Sequence, residues 1–265
     1  MTTASDLISE ADRESFRKNG AAVIRGVVEP ELIDAMRVAI DEAMADGCAP
    51  HYWLQEQGDG AFYNGLFHWI HYPAFASFVQ CSRLGEVAAA LLDAERINFF
   101  YDHLFVKEAG SPMPSPWHTD AYYHPVVGGQ VLTIWTPFDR VTPESGSLTY
   151  IAGSHLWSDE KMGERLKDMP TPGEAIEGEQ VLTWTLEPGD ILVHDARTVH
   201  GAPGNLTRGR RRALATRWLD QDTRYQPVEE DLWAMGRKAG NLLPEIDVAI
   251  GQPFDSKLFP QVWPR

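Results

Sequence analysis

Pro188-Gly189-Asp190-Ile191-Leu192-Val193-His194-Asp195-Ala196-Arg197-Thr198-Val199-His200-Gly201-Ala202-Pro203-Gly204-Asn205 is the stretch on which the fold turns. A Pro-Gly-Asp turn launches a short run of branched apolar residues. A bend rich in glycine and proline then closes the segment just after His200. This reads as a strand and turn that deliver a histidine to a fixed end. Beyond the bend, a basic run (Arg208, Arg210, Arg211, Arg212) leads into Ala213–Leu219. Strand alternation sets Arg211, Ala213, Ala215 and Arg217 on one face and Arg210, Arg212, Leu214, Thr216 and Trp218 on the other.

Upstream the same short-strand rhythm continues. Strands are predicted over Ile97 to Lys107, Val131 to Phe138, Ser147 to Ile151, Gln180 to Leu186, Ile191 to His194 and Arg210 to Leu219. They are separated by turns such as Gly110-Ser111-Pro112, Gly128-Gly129 and Pro143-Glu144-Ser145-Gly146. The N-terminal part has a helical period instead. One helix ends at Asn19-Gly20 and is followed by a buried strand, Ala21 to Ile24. A second opens at Glu29-Pro30-Glu31, with Leu32, Ile33, Met36, Val38 and Ile40 as its apolar stripe, and stops at Asp46-Gly47. Leu84 to Leu92 forms a third. Helices first and then many short strands predict a mainly β fold with a helical flank: a double-stranded β-helix, or jelly roll, of cupin-like form. With no linker in sight, 1–265 is read as one domain: helical flank 1–96, jelly-roll core 97–220 and C-terminal extension 221–265.

Ser115-Pro116-Trp117-His118-Thr119-Asp120-Ala121-Tyr122-Tyr123 carries the chemistry that His200 completes. If the stretch is extended, His118 and Asp120 leave the backbone on the same face. A histidine from another strand then makes a face of two imidazoles and one carboxylate. That ligand set keeps three adjacent octahedral positions open, the arrangement associated with non-haem Fe(II) oxygenases.

With these residues in place, the sequence resembles the phytanoyl-CoA dioxygenase family of Fe(II)/2-oxoglutarate oxygenases. Members carry a His-x-Asp pair, a distant histidine in a His-Gly context and an arginine eleven residues beyond it. Here the pattern reads His118-Thr119-Asp120, His200-Gly201 and Arg211. Phe16-Arg17-Lys18-Asn19-Gly20 before Val23-Ile24-Arg25-Gly26, Trp135, Glu144-Ser145-Gly146-Ser147-Leu148 and Gly153-Ser154-His155 add to the likeness. The resemblance implies Fe(II) on His118, Asp120 and His200, with 2-oxoglutarate and O2 as cosubstrates. It also implies that Arg211 pairs with the far carboxylate of 2-oxoglutarate and that Trp135 and His103 touch the cosubstrate. A buried guanidinium suits that task because it offers two parallel hydrogen bonds. The implied reaction is hydroxylation of a small organic substrate, or a related desaturation or ring rearrangement, with release of succinate and CO2. Asp120 separates the chain from related halogenases, in which a small residue replaces the carboxylate. One position departs from the family: a hydroxyl residue often follows the distal histidine by two, and here that residue is Ala202.

Other histidines and cations have plainer readings. The pair His68 and His71 lacks a third ligand at a recognised spacing and is read as core or pocket wall, among the aromatic residues of 48–80 that include Trp53. Alternation sends His194 to the same face as His200, where it is read as a packing or supporting residue, and His155 is read as structural. Lys107 lies nearby and is open between pocket and solvent. Arg217 is the fallback partner for a carboxylate or the substrate. Tyr122, Tyr123 and Trp69 join it as candidate substrate-pocket residues.

Composition bounds the rest. A formal charge of −15 and a pI near 4.9 argue against nucleic acid or an anionic membrane surface as partner, and lean towards a small neutral or cationic substrate. No apolar run approaches the roughly 18 residues of a membrane span, and Met1 to Asp6 lacks the basic and apolar regions of a signal peptide. Cys48 and Cys81 form no framework, so a reducing cytoplasmic setting is expected. A homodimer is compatible with all of this. Two other readings stay open at this point: a cupin-type metal enzyme that needs no 2-oxoglutarate, and a non-catalytic jelly-roll binding module. Arg211 separates the first from the main reading, and iron content separates the second.

Overall fold

The computed structural model describes residues 7–55, 60–238, 240 and 243–264, without the side chains of 53–55. The readings of Met1 to Asp6 and of the Trp53 side chain fall outside the described residues. In chain order the strands are β1 (Ala21–Ile24), β2 (His51–Gln55), β3 (Phe62–Leu66), β4 (Ile97–Lys107), β5 (Ser115–His118), β6 (Val126–Val127) and β7 (Val131–Pro137). They continue with β8 (Thr149–Ile151), β9 (Val181–Thr183), β10 (Ile191–Asp195), β11 (His200–Ala202), β12 (Arg211–Asp220), β13 (Arg224–Tyr225) and β14 (Gln261–Trp263). The helices are α1 (Glu10–Asn19), α2 (Pro30–Asp46), α3 (His68–His71), α4 (Pro73–Cys81), α5 (Leu84–Leu92), α6 (Asp159–Lys167) and α7 (Leu232–Lys238).

Helix boundaries follow local chemistry. Ser9 and Asp12 form a capping box at the start of α1, and Gly20 ends it at φ +74°. A Cβ at Gly20 would lie 2.4 Å from both His155 Nδ1 and Thr198 Oγ1, so glycine is required for space as well as for conformation. Pro30 opens α2 and Gly47, at φ +65°, closes it. Val38, placed in the apolar stripe by sequence, is 59% exposed, because Ile33, Met36 and Ile40 define a buried face that position 38 does not share.

The strands form the expected jelly roll. An eight-stranded antiparallel sheet runs β1-β10-β7-β12-β4-β3-β2, with β14 also on β4, and faces a four-stranded sheet, β5-β11-β8-β9. Among the described residues the apolar side chains form two main cores and a small third one around Trp117, Ile151 and Val199. The larger joins the helices to one face of the long sheet through residues such as Met36, Phe78, Leu104, Leu214 and Trp218. The smaller lies between the two sheets and includes Trp135, Tyr150, Leu192, Ala213 and Ala215. Each large side chain buried completely, such as Trp218, contributes about 1.5–3 kcal/mol or more of transfer free energy. Alternation along β12 therefore has both faces to serve. Leu214 and Trp218 join the helix-side core, whereas Arg211, Ala215 and Arg217 line a cavity between the sheets. Among the described residues no single helix is long and apolar enough to cross a membrane.

Candidate active site

The site is assembled by register. In the antiparallel pair β5–β11, His118 and His200 are direct partners, with ring centroids 4.3 Å apart. Each Nδ1 faces the carbonyl two residues earlier: Pro116 O at 2.8 Å for His118 and Thr198 O at 2.9 Å for His200. A carbonyl only accepts, so Nδ1 carries the proton and Nε2 keeps its lone pair. Burial lowers the pKa of His118 and holds that of His200 well below the usual range, which keeps both rings neutral.

Asp120 arrives by a different route from the one foreseen. β5 stops at His118, Thr119 is extended, and Asp120 opens a one-turn 3-10 helix, Asp120–Tyr123. The carboxylate still reaches the imidazoles: Oδ1 lies 3.9 Å from Nε2 of both His118 and His200. One donor atom from each residue falls within 4.8 Å of the other two. Nitrogen and oxygen donors about 2.0–2.2 Å from a shared ion fit such spacing. Burial of Asp120 would raise its pKa, but the Arg217 guanidinium and the His194 and His200 rings outweigh it and hold the carboxyl well below its ordinary value. Thr133 Oγ1 donates to Oδ2 at 2.6 Å, and Arg217 donates to Oδ1 at 3.2 Å.

Two imidazoles that are neutral donors and one ionised carboxylate make a donor set that fits Fe(II), because it supplies a single balancing charge and leaves coordination positions free. The adjoining cavity, about 310 Å³, is lined by Trp135, His103, Arg211, Ala215 and Arg217, with Tyr123 at its edge. Arg211 is 2% exposed and lies over the Trp135 ring at 5.6 Å. Among the described residues no carboxylate pairs with it, since Asp139 is taken by Arg212 at 2.8 Å, and Arg211 Nε has no partner. Burial draws its pKa down to about 10. Gly146, at φ +87°, keeps the space beside it open, for a Cβ there would stand 3.5 Å from the guanidinium and 2.9 Å from Pro203 O.

The remaining sequence-picked residues divide. His103 lines the cavity with its ring 3.9 Å from that of Phe105, and its Nε2 has no partner. Arg217 lines the cavity as a pocket residue, donates to Asp120 and lies 4.6 Å over the Tyr101 ring. Tyr123 lines the cavity, whereas Tyr122 is 58% exposed outside it and bonds to Glu230. Trp69 does not reach the pocket; it packs edge-on against Phe99, centroids 5.5 Å apart, in the helix-side core. His194 and His200 lie on separate strands, so alternation does not relate them. Their rings nonetheless meet at 4.3 Å, and Tyr150 OH and Asp120 Oδ2 flank His194 at 3.1 and 3.5 Å. Lys107 is not solvated: it is fully buried and donates to Pro203 O at 2.7 Å. Sequence reading missed Thr133, whose threonine in a β-run carries no distinguishing mark. It also missed Leu232 and Met235, which close the cavity from α7.

Two imidazoles and a carboxylate beside a cavity of a double-stranded β-helix, with a guanidinium unpaired among the described residues in the same cavity, have the arrangement associated with the non-haem iron oxygenase class. The phytanoyl-CoA dioxygenase family's sequence profile matches residues 16–213, and the chain belongs to that family. Human peroxisomal phytanoyl-CoA dioxygenase is 20% identical over 240 residues, which cover 84% of this chain and 66% of that protein. The chain thus matches slightly less than two thirds of the human enzyme's length. The multifunctional dioxygenase prhA of Penicillium brasilianum is 23% identical over 79% of this chain and 72% of its own. Among solved structures, the α-ketoglutarate-dependent carbocyclase SnoK from nogalamycin biosynthesis superposes with a TM-score of 0.78 at 22% identity, over 98% of both chains. EvdO2 from Micromonospora carbonacea var. aurantiaca, complexed with 2-oxoglutarate, gives a TM-score of 0.59 at 26% identity, over 81% of this chain and 92% of its own.

Proposed function

We propose that the protein is an Fe(II)- and 2-oxoglutarate-dependent dioxygenase that oxidises a small organic substrate and releases succinate and CO2. The observation that carries this reading is that one cavity holds both the three-donor cluster and a buried guanidinium without a counter-charge. When bound, Fe(II) with 2-oxoglutarate and O2 supplies the oxidising power to break an unactivated C–H bond.

The chain's own residues prepare that chemistry. His118 and His200 present neutral Nε2 atoms, and Asp120 presents Oδ1 while its other oxygen is tied back to Thr133. Arg211 would take the far carboxylate of 2-oxoglutarate, at a site where a buried charge otherwise lacks a partner among the described residues. Trp135 and His103 would wall the cosubstrate, and the small side chain of Ala215 would leave it room. Leu232 and Met235 line the cavity from α7 and add apolar surface to it. Hydroxylation is the simplest outcome. Ring closure and epimerisation stand beside it, because SnoK is a carbocyclase and its relative SnoN an epimerase. The exposed, unpaired thiols of Cys48 and Cys81 support a reducing compartment such as the cytosol.

The test is anaerobic reconstitution with Fe(II) and 2-oxoglutarate, followed by exposure to O2 and measurement of succinate. Wild type should bind one iron and release succinate slowly without substrate, and His118→Ala and Asp120→Ala should do neither. Iron binding and succinate release that survive both substitutions would overturn the assignment.

A further inference from the structure

A second hollow, of about 480 Å³, opens on the other side of His118. It shares Trp117, His118 and Tyr123 with the cavity described above, so the half-buried His118 stands in the wall between the two. Its far side is helix α6. Asp159, Met162, Gly163 and Leu166 line it at the i, i+3, i+4, i+7 spacing of a single helix face. A helix of this kind ordinarily spends its apolar face on the core. Here no residue of α6 is fully buried: Met162 and Leu166 rest only partly on a small core of Trp117, Ile151 and Val199, although the helix is firmly placed, with Ser158 capping it, Arg197 pairing with Asp159 at 2.9 Å and Arg165 with Glu179 at 2.6 Å. A Cβ at Gly163 would meet nothing within 4 Å. The apolar face of α6 thus packs along one edge on Trp117 and, along the other, lines a hollow that it shares with a candidate metal ligand.

We propose that this cleft is a substrate subsite that takes an uncharged, ring-bearing hydrophobic end of the substrate, while the reacting carbon passes His118 into the inner cavity. The proposal rests on the functional reading above. Three features fix the class of ligand. The walls are aromatic on one side (Trp117, Tyr122, Tyr123) and aliphatic on the other (Met162, Leu166), which suits a flat ring system. The charges at the rim, Asp159 and Arg197, neutralise one another and ask for no counter-ion. The inner cavity, about 310 Å³, lies at the low end of the roughly 300–1,000 Å³ typical of small-molecule sites, yet it must hold 2-oxoglutarate as well. A substrate larger than a few atoms has to extend outward, and this cleft adjoins the proposed metal ligands.

The probe for this subsite is N-phenyl-1-naphthylamine, a neutral fluorescent ring compound, with Mn(II) replacing Fe(II) so that no turnover occurs. Wild type should bind the probe, and Mn(II) should broaden the probe's proton resonances where Zn(II) does not. Gly163→Leu fills the cleft while replacing a poor helix former by a good one, and should weaken the probe by about tenfold or more. Leu166→Trp should act in the same direction. Both variants should keep Mn(II) affinity and uncoupled succinate release. The proposal is overturned by probe affinity unchanged in both variants, by equal broadening with Mn(II) and Zn(II), or by no probe binding up to its solubility limit. Failure of the underlying reading looks different: wild type would not retain Mn(II), while the effect of the two variants on probe fluorescence would still report on the cleft.

Discussion

The hydroxyl of Thr133 donates to Asp120 Oδ2 at 2.6 Å, on the opposite oxygen from the one that stands 3.9 Å from each imidazole. The bond forms because β10 and β12 flank β7 and hold Thr133 inside the sheet, opposite His194 and Arg217 in register. It ties Oδ2 back and leaves Oδ1, which also accepts from Arg217, facing the imidazoles. Thr133→Val keeps the shape and removes the bond, and should weaken Mn(II) or Fe(II) binding by about 10–100-fold, the usual effect of losing a group that orients a metal ligand. Thr133→Ser should restore most of the affinity. Anaerobic titration calorimetry distinguishes the pair, and equal affinity in Val and wild type would remove Thr133 from the site.

Arg211 trades stability for binding. A buried guanidinium with no paired carboxylate among the described residues costs the free protein desolvation energy that the Trp135 ring and the field of Asp139 recover only in part. Arg211→Met should therefore stabilise the ligand-free protein by about 1–4 kcal/mol in urea unfolding. The same change should weaken 2-oxoglutarate by roughly 30-fold or more, while Mn(II) affinity stays as in wild type. A variant that is less stable and still binds 2-oxoglutarate would contradict both halves of the argument.

Asp102 sets a pH dependence outside the site. It is fully buried, with Oδ2 accepting from the Trp69 N–H at 3.1 Å and Oδ1 without a partner. Burial pushes its carboxyl up to about 7, against the pull of hydrogen bonds and of Arg217. A folded-state pKa above the unfolded one means a contribution that is whole below the unfolded value of 3.8 and is lost as pH rises through about 7. Asp102→Asn, which keeps an acceptor for Trp69, should remove that loss. Its stability relative to wild type should rise by about 2–4 kcal/mol between pH 4 and pH 8 and then level off, as read by urea unfolding at each pH. A difference that does not vary with pH would show that the carboxyl titrates normally.

Much of this architecture is legible in the residues because local and global preferences agree. Leu84–Leu92 and Ile97–Lys107 coincide with their elements, as each apolar run ends at strong punctuation and is buried over most of its length. The candidate donor cluster is legible because His118, Asp120 and His200 stand at a family spacing, and the fold brings one donor atom of each within 4.8 Å of the others. What is not legible depends on contacts between segments far apart in the chain. Trp69 could face a pocket or a core, and only the position of Phe99 decides it. The partnership of His194 with Tyr150 arises from two sheets meeting, and no strand period predicts it. The roof from α7 lies in a stretch with little pattern, so Leu232 and Met235 become visible only once the chain has folded back over the cavity.

Ala202 offers a gain of function. It is 1% exposed, lines the cavity, and follows the candidate metal ligand His200 by two residues, where related enzymes often carry a hydroxyl. Its methyl group packs in the core between the sheets, so one added oxygen changes volume little. With 2-oxoglutarate bound, that oxygen would find a carboxylate acceptor near Arg211; without it, the hydroxyl would be buried with no assured partner. Ala202→Ser should therefore tighten 2-oxoglutarate by about fivefold, the equivalent of roughly 1 kcal/mol for one neutral-donor hydrogen bond, and should destabilise the ligand-free protein slightly. Calorimetric titration of 2-oxoglutarate into the Mn(II) form, set beside unfolding curves with and without it, reads both effects. Weaker binding in Ala202→Ser would mean that the cosubstrate lies away from β11 and that the space beside Ala202 serves the substrate instead.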